Sequence, residues 1–320
     1  MSSILTIRDL KVSFPGPGGG VAAVRGLDME LEKGSITGLV GESGSGKSVT
    51  ARAIMNLLER STARVEAEQM QFGDTDLLAL GPARWNDLRG RHMLMIFQEP
   101  GTALDPVFTV GTQMREIISR CRPDTDDVAD AAGRALKDAG FARPADILAS
   151  YPHELSGGLR QLVMIAIALA VRPDLLIADE PTTALDVTSQ SRVLDSIRRL
   201  RDSAGTAVLL ITHDMAVMAQ LCDTAMVMYA GRVVEQAHCQ TLLAEPRHPY
   251  TRGLLDAVPR LSRGTTRPVV PIPGQAPDRT ERFTGCAFAA RCPRADTLCR
   301  ERDPWPRMLQ GALVACHHAT

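Results

Sequence analysis

Residues 41–48 read Gly41-Glu42-Ser43-Gly44-Ser45-Gly46-Lys47-Ser48, and this octapeptide restricts what the chain can fold into more than any other stretch. Its glycines let the backbone turn sharply and aim successive N–H groups at one point. The pattern is G-x-x-x-x-G-K-[ST], a phosphate-binding P-loop. An apolar, strand-like run precedes it at residues 35–40, and a helix-like segment follows at residues 49–58. Strand, loop and helix form the context the motif requires. In that context Lys47 reaches β- and γ-phosphates, the Ser48 hydroxyl ligates Mg²⁺, and the helix start adds its positive dipole end. A Gly/Ser turn that happens to end in Lys-Ser would not explain the flanking strand and helix. The chain has only four lysines, at 11, 33, 47 and 137. One of them stands where a compact ammonium is needed and a planar guanidinium would not serve.

With 320 residues, the chain has room for one large domain and a smaller one. Residues 4–14 and 21–31 alternate apolar and polar positions as strands do, around a Pro/Gly turn at 14–20. Residues 65–97 read as short strands with a loop. Residues 126–140 have helical spacing, with Thr125 as the expected N-cap and Gly140 as the stop. The longest apolar run, residues 162–171, is far short of the ~20 residues of a membrane span and reads as a buried helix. Residues 206–237 alternate strand, helix and strand, so the expected class is α/β with a largely parallel sheet. A more helical stretch at about 100–170 interrupts the alternation as an inserted lobe. From about 240 prolines become dense, notably at 268–274, and four cysteines follow in a small C-terminal module. A net charge of −1 gives no nucleic-acid footprint. The first residues lack a basic region followed by an apolar core, so a cytoplasmic location is expected, with any membrane association made through a partner.

Five further features narrow a nucleotide-binding loop to a particular machine. In residues 175–180, LLIADE, an apolar strand ends in two carboxylates, at the end of the strand where α/β sheets bind ligands. Asp179 can hold Mg²⁺, and Glu180 can polarise an attacking water as general base. In LSGGLRQ, residues 155–161, Ser156, Gly157 and Gly158 precede an apolar helix. That places free N–H groups at a helix start, a second phosphate-binding surface, although an ordinary Ser N-cap gives the same pattern. Gln98 ends an apolar strand and can touch both Mg²⁺ and its water. His213, just past another apolar strand, can donate to a γ-phosphate. Asp186 follows the acidic pair in TALD, residues 183–186. Each of the last three also has an ordinary structural reading, as a solvated strand end, a structural histidine or a helix start.

Together these features resemble the nucleotide-binding subunit of ATP-binding-cassette (ABC) transporters over residues 4–235. GESGSGKS is similar to Walker A, LLIADE to Walker B and LSGGLRQ to the family signature. Gln98 matches the Q-loop, Asp186 the D-loop and His213 the switch histidine. The resemblance implies a P-loop ABC ATPase core, residues 1–240, and a head-to-tail dimer with two ATPs at its interface. Phe14 would stack on adenine. Gly41, Glu42, Ser43, Gly44, Ser45, Gly46, Lys47, Ser48 and Val49 would bind one ATP. Ser156, Gly157, Gly158 and Gln161 would face the ATP of the partner's site, and Asp186 would lie at the dimer interface. Mg²⁺ would be held by Ser48, Gln98 and Asp179, with Glu180, His213 and Gln98 as catalytic groups. YPHELSGG at 151–158, QEPGTALDP at 98–106, HPYTRGLL at 248–255 and the cysteine module resemble the oligopeptide/dipeptide importer branch. There are departures at Leu162, usually Arg, and at Glu99 and residues 101–103. None touches the chemistry. The branch implies two transmembrane permease subunits, a second and different ATPase chain, and an extracytoplasmic solute-binding protein.

Cys121, Cys222 and Cys239 are scattered and read as buried small hydrophobes. Cys286, Cys292, Cys299 and Cys316 cluster at the C-terminal end in the module expected at 241–320. Disulfides do not suit a cytosolic chain, whereas four thiolates suit Zn²⁺ or an iron–sulfur cluster. Their spacing matches neither the zinc nor the ferredoxin patterns, and His317 and His318 can compete as ligands. The residues leave the metal open. Resemblance to the importer branch implies a [4Fe–4S] cluster on the four cysteines, with Zn²⁺ or no metal as alternatives. For function, the resemblance implies an ATPase driving peptide import from the cytoplasmic side of the membrane. The same engine could import nickel, glutathione or another small solute. A soluble ABC ATPase of DNA repair or translation is the alternative of another class, disfavoured by the single cassette, the absence of heptads and the lack of a basic surface.

Overall fold

A computed structural model describes residues 2–16, 20–99, 101, 103–183, 185–258, 270–278 and 280–320. Residues 17–19 of the expected turn, Pro100 and Thr102 after the glutamine, Ala184, and residues 268–269 of the proline-rich run lie outside the described residues. The first elements are β1 (Ser3–Phe14), β2 (Val21–Glu32), β3 (Ile36–Val40), α1 (Lys47–Ile54), β4 (Arg64–Glu66), β5 (Gln69–Phe72) and β6 (Thr75–Asp76). Then come α2 (Pro82–Leu88), β7 (Met93–Ile96), α3 (Val110–Cys121), α4 (Val128–Asp138), α5 (Pro144–Ala149) and α6 (Gly157–Val171). They are followed by β8 (Leu175–Asp179), α7 (Val187–Ala204), β9 (Ala207–Thr212), α8 (Met215–Leu221), β10 (Thr224–Tyr229) and β11 (Arg232–His238). The last are α9 (Cys239–Ala244), α10 (Pro249–Asp256), α11 (Thr297–Glu301), β12 (Arg307–Leu309) and β13 (Ala312–Val314).

The chain forms two compact units. The first contains residues 1–4, 31–36 and 76–210. Its strands run in the order β9-β8-β7, with β7 and β8 parallel, as βαβ connections require. Strand β8 is buried at all five positions, which explains its unbroken apolar sequence. The helical stretch packs α6 against α3, α4 and α7. Helix α6 is apolar around most of its circumference because ten of its fifteen residues are buried. The N-cap of α4 is Asp127, whose carboxylate accepts from the Asp130 N–H, and not Thr125 as the sequence predicts. Aspartate is the stronger cap and sits directly before the first helical turn. Residues 82–88 are a helix where the sequence suggested only strands and loop. Pro82 occupies its first turn and Trp85 is buried beneath it.

The second unit contains residues 5–30, 37–75 and 211–320. One sheet has the order β2-β1-β5, with β4 also paired to β1; β4 and β5 run antiparallel to β1, in register Leu5↔Phe72 and Ile7↔Met70. A second group has the order β12-β13-β11-β10-β3. There β10 and β3 are parallel, whereas β11 turns back antiparallel on β10 and β13 extends that edge. The expectation of a largely parallel sheet therefore holds for the strands that carry crossover helices. It fails for those joined by turns, since a short turn can only reverse the chain. Helix α1 begins at Lys47 and ends at Ile54, short of the predicted residue 58, because Asn56 adopts φ +49° and breaks it.

Candidate functional site

In the second unit, β3 feeds the 41–48 loop and α1 leaves it. Gly46 is the residue before the helix, at φ +109°. A Cβ on Gly41 would meet the Met228 carbonyl oxygen at 2.2 Å, and one on Gly46 would meet that of Ala23 at 2.5 Å. Only glycine lets this loop lie so close to β10 and β2. Lys47 is 4% exposed, and its ammonium donates to the carbonyl oxygens of Gly41 and Glu42 at 2.8 and 2.9 Å. The lysine thus bridges the start of the loop from the start of the helix. Ser43 and Gly44 are exposed at the rim, Ser48 and Val49 are half-buried, and Ser45 is buried with its backbone oxygen accepting from Gly231 N–H at 2.9 Å. Phe14 ends β1, half-buried. His213 follows β9 and is exposed; the next residue, Asp214, caps α8 through Ala216 and Val217 N–H.

The first unit carries Gln98, Ser156, Gly157, Gly158, Gln161, Asp179, Glu180 and Asp186. Asp179 ends β8 and is 2% exposed. Glu180 follows at φ +48°, a left-handed backbone that costs a glutamate about 1–3 kcal/mol and aims its side chain off the strand. Its Oε2 accepts from Thr183 Oγ1 at 2.8 Å and from Gln98 Nε2 at 3.3 Å. The structure thus gathers Gln98 and Glu180, 82 residues apart, and adds Thr183, which the sequence reading quoted without giving it a role. Ser156 caps α6 by accepting from Leu159 N–H at 3.3 Å. Gly157 is exposed, with nothing within 4 Å of where a Cβ would lie, while one on Gly158 would touch Leu185 and Ser189 at 3.4–3.5 Å. Gln161, expected beside them, is 3% exposed, and its amide nitrogen is buried with no hydrogen-bond partner among the described residues. Asp186 caps α7, accepting from Thr188 and Ser189 N–H; the Ser189 hydroxyl hydrogen bond is the main reason its carboxyl is held below the usual aspartate range.

Cys121, Cys222 and Cys239 are buried, and burial raises the pKa of each, as expected of inert core thiols. The other four cysteines, free of disulfides, line one small cavity with His248, His317 and His318. Burial pushes Cys286 up to about 11, with the charges of Cys299 and Cys316 adding to it, and burial likewise raises Cys299 and Cys316. Four thiols and neighbouring imidazoles around one cavity are a donor set that fits a metal centre. Among the described residues, the three donor atoms lying within 4.8 Å of one another belong to Asp296, Cys299 and His318. Three of the four cysteine sulfurs are not so gathered.

Two contacts absent from the sequence reading reach the P-loop from the C-terminal residues. Arg291 Nη1 and Nη2 donate to the two Glu42 carboxylate oxygens at 2.6 and 3.0 Å. Glu42 N–H donates to Tyr250 Oη at 2.9 Å. No local pattern flags Arg291, and HPYTRGLL contains Tyr250 without revealing this contact, because the partners are 249 and 208 residues apart.

A family model described as "ABC transporter" matches residues 24–183, and one described as "Oligopeptide/dipeptide transporter, C-terminal region" matches residues 234–299. A probable peptide ABC transporter ATP-binding protein of Sinorhizobium fredii is 45% identical, over 98% of this chain and 94% of its own. The dipeptide transport ATP-binding protein DppD of Bacillus subtilis is 43% identical, over 93% of this chain and 89% of its own. Among solved structures, a dimeric ATP-binding cassette in a post-hydrolysis state with ADP and phosphate has TM-score 0.66 at 22% identity, covering 73% of this chain and 98% of that one. A cassette subunit of a Clostridium perfringens ABC transporter complex gives TM-score 0.63 at 24% identity, over 77% of this chain and 92% of its own. These two share the cassette fold described above.

Proposed function

The chain belongs to the ABC transporter ATP-binding family, as an ATPase with the oligopeptide/dipeptide transporter C-terminal region, and from that premise we propose that it powers uptake of oligopeptides or dipeptides across the cytoplasmic membrane. The observation that carries the ATP site is the loop at 41–48, with its glycines pressed on neighbouring carbonyls and Lys47 bridging Gly41 and Glu42. Its N–H groups and Lys47 hold the β- and γ-phosphates, and Phe14 stacks on the adenine. Glu180 accepts a proton from the attacking water, held in place by Gln98 and Thr183. His213 donates to the γ-phosphate. Ser48, Gln98 and Asp179 offer hydroxyl, amide and carboxylate oxygens, a donor set suited to Mg²⁺, which when bound neutralises charge on the phosphates. The open face at Gly157 supports a second phosphate contact: nothing among the described residues demands glycine there, whereas a phosphate approaching the backbone would. Ser156, Gly157, Gly158 and Gln161 then serve the ATP of a partner cassette, with Asp186 at the junction.

No described helix is long and apolar enough to cross a membrane. Family membership implies membrane permease partners, and the assembly we propose has two of them, a second ATPase chain of different sequence and an extracytoplasmic solute-binding protein. The chain sits on their cytoplasmic side. Residues 1–240 form the nucleotide-binding domain, with a helical lobe at about 100–170, and residues 241–320 a module whose four cysteines hold a [4Fe–4S] cluster. The gathering of the four cysteines around one cavity supports a shared centre there. The cluster would fold a segment poor in apolar residues. Two measurements test the reading. Native mass spectrometry of the complex drawn from solubilised membranes should find two multi-span subunits, a second cassette and bound peptide; a soluble complex alone would overturn the transport assignment. Anaerobically purified chain should carry about four iron and four sulfide; stoichiometric zinc without visible absorbance would replace the cluster.

A further inference from the structure

Arg291 is the most heavily engaged charged side chain outside the sites assigned above. It is 8% exposed. Its guanidinium forks onto both oxygens of Glu42, its Nε donates to the Pro273 carbonyl at 2.9 Å, and its Cζ lies 5.8 Å from the centre of the Tyr229 ring. Tyr229 packs on Tyr250 at 4.6 Å, and Tyr250, fully buried, accepts the Glu42 N–H. Both the backbone and the carboxylate of the second P-loop residue are therefore fixed by the C-terminal region. The same Glu42 offers its carbonyl to Lys47. Arg291 immediately precedes Cys292, one of the residues lining the thiol cavity.

We propose that Arg291 is a positioning residue for ATP binding: by clamping Glu42 it holds the phosphate loop in its binding shape, and it makes the cysteine module a support of the nucleotide site. A charge-assisted fork is strong and orients its partner in a plane. Without it, the half-buried carboxylate of Glu42 loses its cation, and the loop shifts to hydrate it more fully. Lys47 then has one of its two carbonyl acceptors, that of Glu42, displaced. Linkage makes the effect reciprocal, so a nucleotide that tightens the loop must tighten the module by the same factor.

The inference rests on the loop being the ATP site, and the experiment separates the two. The chain, purified anaerobically, is titrated with a fluorescent ATP analogue, and exchange of amide hydrogens over residues 285–300 is followed with and without ATP. Lys47→Ala should abolish binding; if it does not, the ATP-site reading itself fails. Arg291→Met should raise the dissociation constant about tenfold, Glu42→Gln should do much the same, and the double variant should be little worse than either. Arg291→Lys keeps the charge without the fork and should fall between. ATP should slow exchange at 285–300 in the parent and not in Arg291→Met. Parent-like binding by both Arg291 variants, alongside a Lys47→Ala that fails to bind, overturns the proposal. So does full additivity of Arg291→Met and Glu42→Gln, or an Arg291→Met variant that retains the ATP-dependent protection.

Discussion

Gly46→Ala probes whether the phosphate loop is fixed by contact or only by torsion. Gly46 adopts φ +109°, ψ 0° at the start of α1. That lies outside the wells of L-residues and costs alanine about 1–3 kcal/mol. Its Cβ would stand 2.5 Å from the Ala23 carbonyl oxygen and 2.8 Å from Met228 Cε. The methionine end can swing aside, but the carbonyl belongs to β2. Ordinary carbon–oxygen contact needs about 3.3 Å, so loop and strand must part by roughly 0.8 Å. Overpacking of that kind adds about 1–3 kcal/mol. The total is about 2–6 kcal/mol, a large share of the ~5–15 kcal/mol that holds a typical domain. Gly73→Ala is the control: φ +54° with nothing within 4 Å of the new Cβ, so only the left-handed torsion acts, at about 1–2 kcal/mol. Urea unfolding and ATP binding are measured on both. Gly46→Ala should lose the larger stability and bind no ATP, and Gly73→Ala should bind normally. Equal losses of stability with ATP binding retained in both would refute the contact argument.

Three further outcomes are expected. Glu180→Gln keeps a side chain of the same shape at φ +48° but cannot take a proton, so turnover should fall at least about a hundredfold while ATP binding persists; unchanged hydrolysis removes Glu180 as the base. Asp127→Ala should cost about 1 kcal/mol by uncapping α4, whereas Thr125→Ala should cost almost nothing, as read by denaturant midpoints. His248 is held down to about 3 by complete burial, and its Nδ1 accepts the Tyr250 N–H. Unfolded chains protonate this group below its ordinary 6.5 while the folded one does not, so its contribution is complete above pH 6.5 and is lost as pH falls from there towards 3. Stability should be about 2 kcal/mol lower at pH 5 than at pH 7 from this residue, and His248→Asn should flatten that difference.

The parts of the site legible in the sequence are those made by a few consecutive residues. Gly41–Lys47, the strand ending in Asp179 and Glu180, Ser156 before α6 and His213 after β9 each declare themselves, because a sharp turn, a buried strand end or a helix start needs particular residue types at fixed offsets. The same local logic placed β1, β2, β3 and the apolar α6. It mistook the α4 cap by two residues and overran α1, since periodicity marks a helix better than it marks its ends. Strand partners escaped it: the antiparallel β1–β5 register and the β11–β13 edge depend on which chain segments return beside each other, and residue type along one strand does not encode that. Tertiary structure alone decided that Gln98 and Thr183 converge on Glu180, that four cysteines spread over 31 residues line one cavity, and that Arg291 and Tyr250 grip Glu42. Those pairings join segments distant in sequence, so their geometry exists only once the intervening chain has packed. The sequence by itself determined the chemistry each segment brings; folding decided which of those chemistries meet.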